Sequence, residues 1–174
     1  MAELLKASIK STIDKADSYA LAMLASSLAF TVLCFPEAQV QQTDQSVKWQ
    51  LLGFPLNFQP ALALIVLYCI FVVSSLLTDN MLIHIGDLAR RIDDKPLVVD
   101  LLSHPSVLTV SPIGAVLTTL LPSLFLLLGF WRLFTKGQYD LPGFVWLLAA
   151  GFGTALGAIV YVRVLQNVRR FQNP

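Results

Sequence analysis

The sequence has few charged residues for its length. Among 174 residues, only 13% are Asp, Glu, Lys or Arg, whereas soluble proteins carry about 25%. Twelve basic and 11 acidic residues give a net charge of +1, which argues against nucleic acid as a direct partner because phosphate-binding surfaces need a basic excess. Hydrophobic residues make up 56% of the chain, and the mean hydropathy is +0.69. The composition therefore predicts a membrane protein.

Groups that commonly carry chemistry are also scarce. The two cysteines, Cys34 and Cys69, both fall in apolar runs, which argues against a disulfide framework or a thiolate metal site. The two histidines, His84 and His104, lie in a polar segment without a ligand set around them. The residues Gly86-Asp87-Leu88-Ala89-Arg90 only partly match the Asp-Gly-x-x-Ala-Arg start of membrane phosphatidyltransferases, with the first two residues reversed. We expect no catalytic residue, no metal and no cofactor.

Four apolar runs are long enough to cross a bilayer, which takes about 20 residues. They cover residues 19–35, 60–78, 112–134 and 144–162, and none has an Asp, Glu, Lys, Arg or His in its middle. Coupled transporters generally need such groups near the membrane midplane, so this absence argues against one. The sequence predicts an all-α polytopic membrane protein with four transmembrane helices, forming one domain over residues 1–174.

Basic residues alternate along the segments that separate these runs. Nine lie in the N-terminal segment, the loop 79–111 and the tail 163–174, and three lie in or beside the other two connectors. Cytoplasmic segments are enriched in Lys and Arg. Both termini, the central loop and the tail are therefore predicted to be cytosolic.

The connector 36–59 contains SVKWQLLGFPLNF, in which apolar residues alternate on both sides of Gly53. Such alternation predicts a short external β-like hairpin, with Trp49 and Phe54 at the outer interface, where it senses, contacts lipid or shields the helix ends. Residues 46–70 resemble a segment of bacterial multi-span proteins in which a basic residue, an apolar run and Gly-x-Pro-Leu precede a span. Trp49-Gln50 departs from that pattern. The resemblance implies a bacterial inner (plasma) membrane, multi-pass protein.

Three local patterns concern how the helices pack. Residues 2–17 show helical apolar spacing, which predicts either a helix on the lipid surface or an extension of the first span. Pro122 predicts a kink, since the carbonyl of Thr118 loses its helical partner. Small residues at four-residue spacing in the last span predict close helix packing, within one subunit or as a homo-oligomer interface: Ala149, Gly153 and Gly157.

The central loop carries an apolar stripe at helical spacing that continues from the second span. A helical pair of this size cannot bury its apolar faces alone, so it is expected to meet a neighbouring subunit, the span ends or another protein. We therefore predict a cytosolic partner-binding surface that includes the basic tail: Leu88, Arg90, Arg91, Ile92, Arg169 and Arg170.

In size and span layout the chain resembles the four-span membrane subunits of bacterial phage-defence systems, such as the membrane component of Kiwa. That resemblance implies a non-catalytic scaffold or sensor that oligomerises, recruits a cytosolic protein and takes part in antiviral defence. The alternative from another class is an oligomeric ion channel or membrane-permeabilising effector, lined by hydroxyls such as Ser26, Ser27, Thr31 or Thr118. A third reading is a lipid- or envelope-binding accessory protein that works through Trp49 and Phe54.

Overall fold

The computed structural model describes residues 2–35, 47–51, 54–58, 60–90, 116–136 and 143–172. Helix α1 is Ala2–Cys34, strands β1 and β2 are Val47–Leu51 and Phe54–Phe58, and α2 is Pro60–Arg90. A π-helical turn, Val116–Leu120, leads into α3, Leu121–Lys136, and α4 is Gly143–Gln172. Within these ranges, four helices are long and apolar enough to cross a membrane. The prediction of four membrane-spanning helices is confirmed at that level.

Each predicted span overlaps one segment that qualifies as a span, but the segments on α1, α2 and α4 run further at one end than predicted, and the helices are longer still. The qualifying stretches are Lys6–Cys34, Leu62–Leu88, Thr118–Thr135 and Val145–Asn167. Helix α1 has 33 residues, so at 1.5 Å per residue it is about 50 Å long. The hydrocarbon core is about 30 Å thick. Helices α1, α2 and α4 therefore extend beyond the bilayer, whereas α3, with 16 residues, does not.

The helices form a closed ring. Helix α1 packs against α2 and α3, and α4 completes the ring by packing against the other sides of α2 and α3. Large apolar side chains point outward over one continuous belt, including Leu28 on α1, Ile65 on α2, Leu124 on α3 and Phe152 on α4. An exposed apolar belt of this kind suits lipid rather than water.

Two apolar clusters fill the interior. The first joins the N-terminal half of α1 to the C-terminal halves of α2 and α4, and consists of Ile9, Ile13, Ala16, Ala20, Leu82, Ile85, Leu88, Val160 and Val164. The second lies toward the opposite end and contains residues of α1, α2 and α3, with α4 residues packed against it: Met23, Phe30, Cys34, Leu64, Phe71, Leu126, Phe130 and Leu133.

Buried hydroxyl groups also line the interior of the bundle. They are Ser26, Ser27, Thr31, Ser74, Ser75, Thr78, Thr118, Thr119 and Ser123, each no more than 7% exposed. Many donate to a carbonyl one turn earlier in their own helix, as Thr78 does to Ser74 at 2.8 Å. Ser and Thr are common at membrane helix interfaces because they are small and can satisfy themselves in this way.

The start of α3 shows how Pro122 is accommodated. Proline has no N–H to donate to the Thr118 carbonyl, and the chain forms a π-helical turn at Val116–Leu120, immediately before the regular helix. A widened turn is a recognised response to a break in helical hydrogen bonding. The structure thus shows a π-helical turn before Pro122, and the predicted kink stays a prediction.

The two strands coincide with the two alternating series of the connector. They pair antiparallel, with Trp49 opposite Leu56 and Leu51 opposite Phe54. Their position on the outer side of the membrane stays a prediction.

Candidate interaction surface at the extended end

Three helices project together past the apolar belt at one end of the bundle. We call this region the extended end and define it as residues 2–17 of α1, 79–90 of α2 and 163–172 of α4. Charged residues begin on each helix near one level, at Asp17, Asp79 and Arg163, and the first apolar cluster holds the three helices together there. Helix α1 is continuous through this region. This supports the prediction that residues 2–17 extend the first span rather than form a separate helix on the lipid surface.

An ion pair joins α2 to α4 where the apolar belt ends. Arg163 Nε donates to Asp79 Oδ1 at 3.2 Å, and the side chains are 38% and 22% exposed. An ion pair as exposed as this one contributes roughly 0–1 kcal/mol to the free energy of unfolding. Its main consequence is to fix the register of α4 on α2.

A second polar contact lies one turn further out on α4. Asn167 is buried, 9% exposed, and its Nδ2 donates to the carbonyl oxygen of Leu82 at 3.0 Å. A Cβ added at Gly86 would lie 3.4 Å from Asn167 Oδ1, in ordinary van der Waals contact, so α2 passes close to the amide there. A buried amide of this kind is costly without its partners.

The two helices enclose a polar groove at this point, which we call the α2–α4 groove. It has a volume of about 220 Å³ and is lined by Ile83, Gly86, Asp87, Arg90, Arg163 and Asn167. Arg90 Nη1 lies 3.5 Å from Asp87 Oδ1, with side chains 64% and 53% exposed. Counting Asp79 behind Arg163, two basic and two acidic groups meet there, so the local charge balances.

The predicted partner-binding residues have different positions. Leu88 is 9% exposed and belongs to the first apolar cluster, so its side chain packs inside the bundle rather than on the surface. Arg90 is exposed and lines the α2–α4 groove. Arg91 and Ile92 lie outside the described residues, and Arg169 and Arg170 lie in the last turns of α4 with side chains that are not described.

The apolar stripe that continues from the second span is therefore covered by the same chain. Leu82, Ile85 and Leu88 pack against α1 and α4. Of the three contacts predicted for the stripe (a neighbouring subunit, the span ends or another protein), the structure shows the span ends for this part. Residues 91–111 of the loop lie outside the described residues, so the rest of the prediction is untested there.

The small residues of α4 pack inside the protomer. A Cβ at Gly153 would lie 3.4 Å from both Leu126 Cδ1 and Tyr68 Cε2, and one at Gly157 would overlap the Ser123 hydroxyl. Ala149 is half-buried, and its carbonyl accepts a hydrogen bond from Tyr68 Oη at 2.8 Å. Of the two readings of this stripe, the geometry favours packing within one subunit over a homo-oligomer interface.

The hydroxyls suggested for an oligomeric pore face the interior as well. Ser26, Ser27, Thr31 and Thr118 are all 5% exposed or less. Thr31 Oγ1 lies 2.9 Å from the Ser27 carbonyl and 2.5 Å from that of Phe125. Thr31 thereby connects α1 to α3, and none of the four hydroxyls lies on an outer face that adjoining protomers could line.

The opposite end of the bundle is closed by aromatic side chains. Phe130 contacts Phe30, Tyr68 and Trp146, with ring centroids 4.9, 5.6 and 5.9 Å away. The Arg132 guanidinium lies 5.2 Å from the Phe35 ring centroid. Such a cluster buries large apolar area; the Tyr68 and Phe130 rings meet edge-on, a favoured geometry, and the other two pairs are tilted.

Some predicted features fall partly on residues outside the described ranges. Within those ranges, no group of three or more His, Cys, Asp or Glu is placed to hold a metal ion; His104 lies outside them. The backbones of Trp49 and Phe54 are described within the strands, but their side chains are not.

The Asp79–Arg163 pair and Asn167 are the polar contacts that sequence reasoning missed. The signal was present, since opposite charges stand just past the second run and just past the fourth. What the sequence did not supply was that α2 and α4 are neighbours. No family model, curated protein or solved structure matches the chain.

Proposed function

We propose that this protein is a non-catalytic inner-membrane scaffold or sensor subunit that recruits a cytosolic partner at its extended end. One observation carries the proposal: three helices leave the apolar belt together and are held by a shared core. The polar faces that they present are consequently fixed relative to one another. A fixed charged surface can dock a partner with little ordering cost.

Charge and position support the cytosolic side. The extended end is built from parts of the N-terminal segment, the central loop and the tail, and these three segments together hold nine of the 12 basic residues. Exposed charges on it include Lys10, Asp14 and Lys15 on α1 and Asp87 and Arg90 on α2. Charges at a rim set partner choice and association rate more than affinity.

The test is a pull-down that compares wild type with variants. The full-length protein is expressed in a bacterial host, solubilised in mild detergent and examined for soluble proteins that stay bound to it. Wild type should retain a soluble protein that the double variant Arg90→Glu, Arg91→Glu releases. The matched control, Lys48→Glu with Lys136→Glu, reverses two charges in the connectors predicted to be external and should retain it. Leu88 is left unchanged because it is buried.

Two results would overturn the partner proposal. Full retention by the Arg90/Arg91 variant would remove the central-loop surface as the docking site. Equal loss from both double variants would show that capture depends on general charge instead. Circular dichroism and gel filtration of each variant establish that it is folded.

We also propose that the protein self-associates, through the outward face of α4. Gly151 is exposed, with nothing within 4 Å of the Cβ position, and Ala155 one turn later is exposed too. Small residues at this spacing allow close approach of two membrane helices. Gly151→Leu should reduce the mass of the protein–detergent particle in light scattering, and Ala25→Leu on the outer face of α1 serves as the control. An unchanged mass in both would exclude this face.

Phage defence is the setting that we propose on the resemblance in layout alone. Cells carrying the gene with its native neighbours should plate phage less efficiently than cells carrying the Arg90→Glu, Arg91→Glu variant. Equal plating with wild type, variant and empty vector, across a panel of phages, would count against this setting without touching the scaffold proposal.

A further inference from the structure

The α2–α4 groove adjoins a second, apolar depression on the lipid-facing side of α4. This trough has a volume of about 280 Å³ and is lined by Ala158, Ile159, Val162, Arg163 and Gln166. Ile159 and Val162 are 48% and 51% exposed and belong to the apolar belt. Arg163 lines both depressions, so a polar site and an apolar site meet at one side chain.

Their meeting point lies where the predicted second and fourth spans end. The uninterrupted apolar run ends at Val162 on α4 and at Thr78 on α2, and the first charged residues beyond it are Arg163 and Asp79. A phospholipid has the same layout, with an acyl chain below this level and a charged headgroup at it. We propose that the α2–α4 groove and the trough together bind one phospholipid, with its headgroup in the groove and an acyl chain along Ala158, Ile159 and Val162.

The charges of the groove select the class of headgroup. Arg163 uses Nε in its ion pair with Asp79, and the terminal amino groups of a guanidinium can donate to a phosphate in pairs. Arg90 adds a second donor. However, Asp79 and Asp87 balance these two cations, so a purely anionic headgroup gains little net attraction. A zwitterionic headgroup places its phosphate against the arginines and its cation against Asp87.

The nature of that cation matters for Asp87, which is 53% exposed and only loosely paired to Arg90 at 3.5 Å. A primary ammonium donates hydrogen bonds to a carboxylate, whereas the quaternary ammonium of choline has no N–H. The ligand is therefore a phosphatidylethanolamine-type lipid. Arg90 belongs to both this site and the proposed partner surface, but the lipid tests change Asp87, Arg163 and Ala158, so the two proposals can fail separately.

The experiment measures which lipids stay with the full-length protein. The protein is reconstituted into nanodiscs with equal amounts of phosphatidylethanolamine, phosphatidylcholine and phosphatidylglycerol. It is then re-extracted in mild detergent, washed by gel filtration and its retained lipids are quantified by mass spectrometry. Charge-assisted hydrogen bonds support an enrichment of about tenfold for phosphatidylethanolamine over phosphatidylcholine.

Variants separate headgroup recognition from acyl binding. Asp87→Asn should bring phosphatidylethanolamine down to the level of phosphatidylcholine, and Arg163→Gln should lower retention of all three lipids, with partial recovery in Arg163→Lys. The controls, Asp14→Asn and Lys15→Gln on α1, should retain lipid as wild type does. Ala158→Phe should block the trough and lower retention of each lipid, whereas Ala25→Phe on α1 should not.

Asp87→Asn is the decisive change, since that carboxylate is exposed and its removal leaves the core intact. Equal retention of phosphatidylethanolamine and phosphatidylcholine by wild type would overturn the proposal. So would a preference for phosphatidylglycerol, or an enrichment that survives in Asp87→Asn. If Ala158→Phe leaves retention unchanged, the acyl chain does not occupy the trough and the two-part site is excluded.

Discussion

Gly157 is the residue at which two helices come closest to colliding. A Cβ there would overlap the Ser123 hydroxyl, lie 3.1 Å from Ser123 Cβ and approach the Thr119 carbonyl oxygen to 3.4 Å. The Ser123 hydroxyl donates to that same carbonyl at 3.2 Å, so it cannot turn away without losing its partner. Even with the hydroxyl turned away, Ser123 Cβ at 3.1 Å would have to give by a few tenths of an ångström before a methyl group fits.

We therefore expect Gly157→Ala to lower the free energy of unfolding by about 1–3 kcal/mol, the usual cost of overpacking a core. Thermal unfolding in detergent, followed by circular dichroism, measures the change. Gly151→Ala is the matched control, because nothing lies within 4 Å of its Cβ position. If both substitutions behave alike, the close approach at Gly157 does not limit packing.

Thr31 makes a short hydrogen bond between α1 and α3. Its Oγ1 lies 2.5 Å from the carbonyl oxygen of Phe125, and the side chain is 5% exposed. Thr31→Val keeps the shape and removes the hydroxyl, and should lower the free energy of unfolding by about 0.6 kcal/mol, typical of such bonds in membranes. Thr31→Ser should stay close to wild type in the same thermal assay. A more stable Thr31→Val protein would show that the hydroxyl is not needed there.

At the scale of helices, the association of α2 with α4 depends on polar contacts as well as on apolar packing. The Asp79–Arg163 pair and the Asn167 amide both join these two helices, and they lie near where the protein leaves the bilayer. In that position the ion pair is partly hydrated, so its contribution is small but specific. It favours one alignment of α4 along α2 over others.

This specificity can be measured with a double-mutant cycle. Asp79→Asn and Arg163→Gln should each lower the free energy of unfolding by about 1 kcal/mol or less, because both side chains are partly exposed. The losses in the combined variant should be less than additive. Asp79→Arg with Arg163→Asp should recover part of the stability. Strict additivity would indicate that the two residues do not interact.

For the whole molecule, the placement of the hydroxyl groups bears on the channel alternative. The buried Ser and Thr side chains of the described helices lie inside one bundle, and many donate to carbonyls of their own helix, while the outer surface of the spans is apolar. Conduction requires a continuous polar path. An oligomer built from these outward faces would bring apolar side chains together.

Liposomes reconstituted with the purified protein should therefore pass no more ions or small dyes than empty liposomes. A dye-release assay with a pore-forming peptide as the positive control provides the measurement. Release that rises with the protein-to-lipid ratio would favour the channel reading over the scaffold reading.

The sequence by itself determined the number of helices that are apolar enough to cross a membrane and the missing hydrogen-bond donor at Pro122. Each of these is a local property: about 20 apolar residues are needed to span hydrocarbon, and proline lacks an N–H wherever it stands. Local composition and period carry such information without reference to neighbours.

Only the tertiary structure decided which helix faces meet. The stripe of Gly153 and Gly157 reads equally well as an internal contact or a contact between subunits, and Leu88 reads equally well as buried or as a docking residue. Asp79 and Arg163 are 84 positions apart, so their pairing depends on the ring order that makes α2 and α4 neighbours. In lipid, where an apolar face can be exposed without penalty, hydrophobicity does not say which face turns inward. Packing decides it.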